Sequence, residues 1–162
     1  MKTTDTMTPE GKRLMAELRQ LDELEVRIGF QRGQAFHKDE EGNEVDMVDI
    51  AMWNELGTSR APSRPFLRQT ADTKESEIVA FLQRAVRPVF SGSGTAESVL
   101  KKIGPYAKGL VQEQITDGEY VPNAPSTVLR KMKDGKEPVK PLIDTGLMRE
   151  SVDFVIVKKG AE

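Results

Sequence analysis

Apolar and polar positions alternate along this chain in two distinct rhythms. Leu14, Met15, Leu18 and Leu21 recur at the three-to-four spacing of one helix face. Thr8-Pro9 stands before them as an N-cap followed by proline at the first helical position, so the pattern predicts an amphipathic helix over 9–22. Glu25-Val26-Arg27-Ile28-Gly29-Phe30 then alternates polar and apolar, as a half-buried strand does. Residues 31–45 are polar, with Asp39, Glu40, Glu41 and Glu44 around Gly42-Asn43, and read as a loop or a loose hairpin. The carboxylates and glycine are out of register with a calcium-binding EF-hand loop, so a solvated acidic loop is expected.

Asp46 is placed to cap a helix over 47–56, with Val48, Ala51, Met52 and Leu56 as its buried side and Gly57 as the residue able to take φ > 0 beyond its end. A proline-punctuated loop follows from Ser59 to Pro65. Phe66, Leu67, Ala71, Ile78, Phe81, Leu82, Ala85 and Val86 then predict a long helix to about residue 87, ended by Pro88. Ser91-Gly92-Ser93-Gly94 reads as a flexible hinge. Thr95 is placed to cap the next helix, with Ser98 where a capping box would carry Glu or Gln. Val99, Leu100, Ile103, Ala107, Leu110, Val111 and Ile115 form its apolar face, and Gly104-Pro105 in the middle predicts a kink or two abutting helices. Residues 118–142 carry four prolines and read as irregular. A closing strand is expected over 151–157, paired with 25–30 in a small antiparallel sheet. The expected fold is α+β, one domain over 1–162, with flexible loops near 31–45 and 118–140.

Composition narrows the function. No cysteine is present among the 162 residues, which removes thiolate nucleophiles, thiolate metal sites and disulfides. His37 is the single histidine and lies in a polar stretch, without the partner that general acid–base work needs. Phosphate-loop, zinc-protease and serine-elbow patterns are all missing. Asp144, in Pro141-Leu142-Ile143-Asp144-Thr145-Gly146, reads as a turn or N-cap residue. The net charge of −2 lacks the basic excess of a nucleic-acid binder. The first residues open no secretory signal, and no apolar run has membrane-spanning length. A non-enzyme without cofactor or metal, made in a host cytoplasm, is the expectation.

Two segments carry a resemblance. The first is Ile50-Ala51-Met52-Trp53-Asn54-Glu55-Leu56-Gly57-Thr58 with Ala61-Pro62-Ser63-Arg64-Pro65-Phe66-Leu67-Arg68; the second runs from Pro122-Asn123-Ala124-Pro125 to Pro141-Leu142-Ile143-Asp144-Thr145-Gly146-Leu147-Met148-Arg149-Glu150-Ser151-Val152. In order and spacing they resemble the tail-completion and virion-morphogenesis proteins of tailed bacteriophages, including Mu-like ones. Leu56 stands where an aromatic is common in that family, and Ala61 where isoleucine is common. The resemblance implies a virion component at the head–tail junction, forming a homo-oligomeric ring between a head-closure or connector protein and the tail terminator or tail tube.

Charge suggests how such a ring would form. An acidic loop (Asp39, Glu40, Glu41, Glu44, Asp46) and a basic stretch (Arg130, Lys131, Lys133, Lys136, Lys140) are expected on opposite flanks, where neighbouring copies would pair them. Arg64 and Arg68 add guanidinium forks suited to carboxylates across an interface, and Glu55 is a further interface candidate. Phe66 and Leu67 are expected in the core. The alternative is a capsid or tail factor touching nucleic acid through the same basic stretch.

Overall fold

The computed structural model describes residues 7–39, 41–135 and 139–161. Its elements are α1 (Pro9–Glu23), β1 (Leu24–Gly29), β2 (Phe36–Lys38), β3 (Glu44–Asp46), α2 (Met47–Leu56), α3 (Phe66–Phe90), α4 (Ala96–Asp117), α5 (Pro125–Lys133), α6 (Leu147–Glu150) and β4 (Asp153–Lys158). The fold is α+β, dominated by the two long helices. No helix of the described residues is long and apolar enough to cross a membrane.

Local signals place most of these elements. The Thr8 hydroxyl accepts from Gly11 N at the start of α1, and the Asp46 carboxylate accepts from Val48 N at the start of α2. Thr95 and Ser98 cap each other's backbone at the start of α4, so a serine completes the box that usually takes a glutamate. β1 pairs antiparallel with β4, Leu24 opposite Lys158 and Gly29 opposite Asp153. Within the stretch expected as a loop or loose hairpin, β2 pairs antiparallel with β3, and Gly42 takes φ 84° between them.

Two apolar cores form. One joins Met47, Ala51, Phe66, Val111, Ile115, Leu142, Met148 and Val152, with Phe30 edge-on to Phe66. The other joins Ala85, Val89 and Val99, flanked by Leu14, Leu21 and Phe81. Between them Phe81 of α3 stacks on Tyr106 of α4 at 3.7 Å, and the Tyr106 hydroxyl donates to Glu77.

Several expectations are corrected. Pro88 does not end the long helix, which continues to Phe90. A proline this close to the end costs one backbone bond and leaves the last turn intact. Residues 91–94 are a bonded turn, not a hinge: the Pro88 carbonyl accepts from both Ser93 N and Gly94 N. Gly104-Pro105 does not divide α4 into two helices. Gly104 is there for closeness, since a Cβ on it would lie 2.2 Å from the Phe154 ring of β4. Ala71 and Met15 are exposed, outside the faces assigned to them. The closing strand begins at Asp153, and Ser151 instead bonds back to the Leu147 carbonyl at the end of α6. Residues 118–142 are not irregular throughout, for they contain α5.

Candidate functional site

The first motif folds into a rigid junction between α2 and α3. Gly57, at φ 79°, donates its N–H to the Trp53 carbonyl and ends α2. A side chain at Gly57 would meet the backbone of Ser63 at 2.8 Å, so glycine is required twice over. The Thr58 hydroxyl accepts from Arg60 N and Ala61 N, Ser63 Oγ donates to the Glu55 carbonyl, and Arg64 N donates to the Asn54 carbonyl. The helix α3 begins behind a proline without a capping side chain of its own. Glu55 supplies one from α2: its carboxylate accepts from Leu67 N at 2.9 Å and Arg68 N at 3.2 Å, where the positive end of the helix dipole favours an anion.

That geometry corrects two interface assignments. Glu55 works inside the subunit as the cap of α3. Arg64 is 6% exposed, and its guanidinium donates to the Val121 and Pro122 carbonyls and to Asn123 Oδ1. Burial pushes its pKa down from the ordinary arginine value. A guanidinium keeps its proton even so, and carbonyl oxygens satisfy its fork. Arg68, by contrast, is exposed beside the junction.

The segment from 119 to 146 is held by cations in the same manner. Lys131 of α5 is 5% exposed and donates to the Ile143 carbonyl at 2.6 Å and the Lys140 carbonyl at 3.4 Å, with Asp144 4.0 Å away. Lys140 donates to the Thr116 carbonyl and pairs with Asp117 at the carboxyl end of α4. Lys131 is therefore not an interface charge. Arg130 and Lys133 are exposed. In the acidic hairpin, the Asp39 carboxylate accepts from Glu41 N, Asn43 N and Asn43 Nδ2. Those bonds, led by the Asn43 side chain, hold its pKa below the ordinary aspartate value. Asp39 thus builds its own turn, and Glu41 lies beside it; Glu40 and Lys136 fall outside the described residues.

The acidic hairpin and the basic stretch do not occupy opposite flanks. Asp39 and Glu41 line one cleft of about 660 Å³ together with Arg130 of α5, Asp134 just beyond its end, and Asp144. His37 belongs to strand β2 rather than a loop and lines the same cleft. Asp144 sits in the turn before α6, where the Thr145 hydroxyl accepts from Leu147 N.

What the sequence reading missed is an exposed apolar ridge. Periodicity assigns Met52 and Leu56 to the buried side of α2, but both are exposed together with Trp53, and the buried residues of that helix are Met47 and Ala51. Trp53 is 45% exposed and Leu56 62%. At about 100° per residue, positions 52, 53 and 56 share one arc of the helix and 47 and 51 the opposite one. The signal was present in the sequence as more apolar residues than one face of a ten-residue helix can bury. Among the described residues no group of three or more histidines, aspartates or glutamates is arranged to hold a metal ion. Set against known proteins, the chain finds no matching family model, no matching curated protein and no matching solved structure.

Proposed function

We propose that this chain is a structural virion-assembly protein of a tailed bacteriophage, acting without catalysis at the head–tail junction as one subunit of a ring. Its neighbours would be a head-closure or connector protein on one side and a tail terminator or tail-tube protein on the other. The observation that carries this reading is the ridge of Met52, Trp53 and Leu56 on α2. Tryptophan is enriched in binding hot spots and methionine in protein interfaces, and an exposed apolar cluster that holds both marks a protein contact. The ridge lies within the segment that resembles the phage family. The polar residues of that segment, Glu55, Thr58, Ser63 and Arg64, are spent on holding the ridge in place. A preorganised apolar anchor loses little entropy on binding, which suits a part that must join others in a set order.

The nucleic-acid alternative rests on the basic stretch. Burial of Lys131 withdraws one of its charges from the surface, and Asp117 offsets another by pairing with Lys140. The decisive experiment interrupts this reading frame in a phage that encodes it. Filled heads and finished tails should accumulate unjoined, and the protein should be detected at the neck of wild-type particles. Infectious particles at full titre without the protein would refute the assignment.

A further inference from the structure

Exposed apolar side chains gather at the two ends of α3. At its amino end lies the α2 ridge of Met52, Trp53 and Leu56, with exposed Arg60 and Arg68 beside it. At its carboxyl end lies a groove of about 370 Å³ between α1 and the end of α3, floored by Leu14, Val89 and Phe90 and edged by Glu10, Arg13 and Glu17. Phe90 is 61% exposed there, and Met7 and Met15 of the neighbouring α1 region are exposed too. The helix between the two places has 25 residues, a length of roughly 37 Å at the α-helical rise. One end is a convex ridge and the other a concave apolar groove.

Charge runs the same way. The carboxylates near the ridge are engaged within the subunit: Asp49 by the Arg32 fork and Glu55 by the α3 backbone. Counted as formal charges, Arg32, Arg60 and Arg68 outnumber Asp49 and Glu55 around the ridge. Around the groove two carboxylates face one guanidinium, although Glu17 also accepts from Ala96 N. Different surfaces at two separated places, one an exposed ridge with excess positive charge and the other a groove with excess negative charge, suit a heterologous contact, the kind that closes into a ring when the rotation allows.

We infer that the occupant of the groove is a second copy of this chain, whose α2 ridge inserts Trp53 against Leu14, Val89 and Phe90, with Arg68 meeting Glu10 at the rim. This contact replaces the hairpin-to-α5 charge pairing, because those two elements already share a cleft within one subunit. It rests on the ring reading above and names the surfaces that would make the ring.

The absence of cysteine from the chain allows a clean test. Arg68→Cys and Glu10→Cys, which place the thiols at the rim and leave Trp53 and Phe90 in the contact, are introduced singly and together into the full chain, and mild oxidant is added. The double variant should give a ladder of covalent oligomers, and a mixture of the two single variants should give a heterodimer, while neither single variant alone gives a dimer. A bridge within one subunit is ruled out, since a disulfide needs Cα atoms within about 7 Å. Sedimentation of the unlabelled protein supplies a second measurement. Trp53→Ser should weaken self-association at least about tenfold, the size of a hot-spot loss. Arg68→Glu and Glu10→Lys should each weaken it a few-fold, and mixing those two variants should restore it, because each then offers the charge the other lacks.

Dimers of Arg68→Cys alone, the absence of any cross-link, or a wild-type chain that stays monomeric at high concentration would overturn the inference. None of these bears on where the protein sits in the particle, which the gene-interruption experiment decides separately. A chain that cross-links as expected yet is missing from the neck would keep the contact and lose the function.

Discussion

The α3–α4 seam and the segment from 119 to 146 are held together by different physics. Along the seam, apolar side chains meet every third or fourth residue: Ala85, Val89 and Val99 at one end, Phe66, Val111 and Ile115 at the other. Among the described residues of 121–141, none gives a buried apolar side chain to either core. That stretch is fastened by Arg64, Lys131 and Lys140, each donating to main-chain carbonyls of a neighbouring element. Its helix is inside out, with Lys131 buried and Leu129 and Met132 exposed. Apolar packing is non-directional and proportional to area, so the seam tolerates small shifts. Cation-to-carbonyl bonds are directional, and each loss leaves a buried oxygen without a donor. The contrast predicts a rigid body carrying a strap that opens by itself.

The largest effect should follow from Phe66→Ala, which empties a fully buried site at the α3 amino end. The expected cost is about 3–5 kcal/mol in denaturant unfolding, with protection from hydrogen exchange lost throughout both cores. A cost under 1 kcal/mol would mean the seam is not the principal source of stability.

Arg64→Leu comes next. It removes the donors to Val121 O, Pro122 O and Asn123 Oδ1, at a cost of about 1–3 kcal/mol. Amide exchange should accelerate across 121–143 and stay nearly unchanged in α4. If α4 opens to the same extent, the strap is not a separate unit and the comparison fails.

Glu55→Ala tests the junction between the two regions. Loss of the carboxylate cap should cost about 0.5–2 kcal/mol and fray the first turn of α3, read from the amide exchange of Leu67 and Arg68. Glu55→Gln should recover part of that stability, because the amide oxygen still accepts. An equal loss in both variants would point to charge instead of hydrogen bonding.

The smallest effect concerns the acidic hairpin. The pKa of Asp39 is lowered in the folded state, chiefly by bonds from Asn43. Its contribution is therefore present above the unfolded aspartate pKa and is lost as pH falls below about 3.9 and through the folded value. The Glu41 and Asn43 amides should exchange faster in that acid range relative to α4, and Asp39→Asn should flatten the dependence. An unaltered pH profile in the variant would remove Asp39 from the account of the turn.

Much of the fold was legible because it rests on short-range rules. Thr8, Asp46 and Thr95 cap helices where a cap was expected. The α4 face from Val99 to Ile115 lies inward, and β1 pairs with β4 as the alternation suggested. Pro88 misled, because helix breaking depends on place and it stands one turn from the helix end; at Pro105 the chain stays one helix rather than two. The candidate site was much less legible. Arg64 and Lys131 were read as surface charges because cations are seldom buried, and only the carbonyls of residues 121–123 and 140–143, remote or unordered in the sequence, make their burial affordable.

Periodicity and capping chemistry need only a few neighbouring residues, so the amino-acid order alone settled the helices α1 to α4, the strands β1 and β4 and the α+β class. Which cations turn inward, which carboxylate caps α3, and that the acidic hairpin faces α5 were settled by packing. These depend on groups 12 to 59 residues apart finding one another. The same holds for the exposed ridge. Met52, Trp53 and Leu56 could have joined the core by their hydrophobicity, but α2 has one inward face, and Met47 and Ala51 occupy it. What remained outside became the surface by which this protein is proposed to meet its next copy.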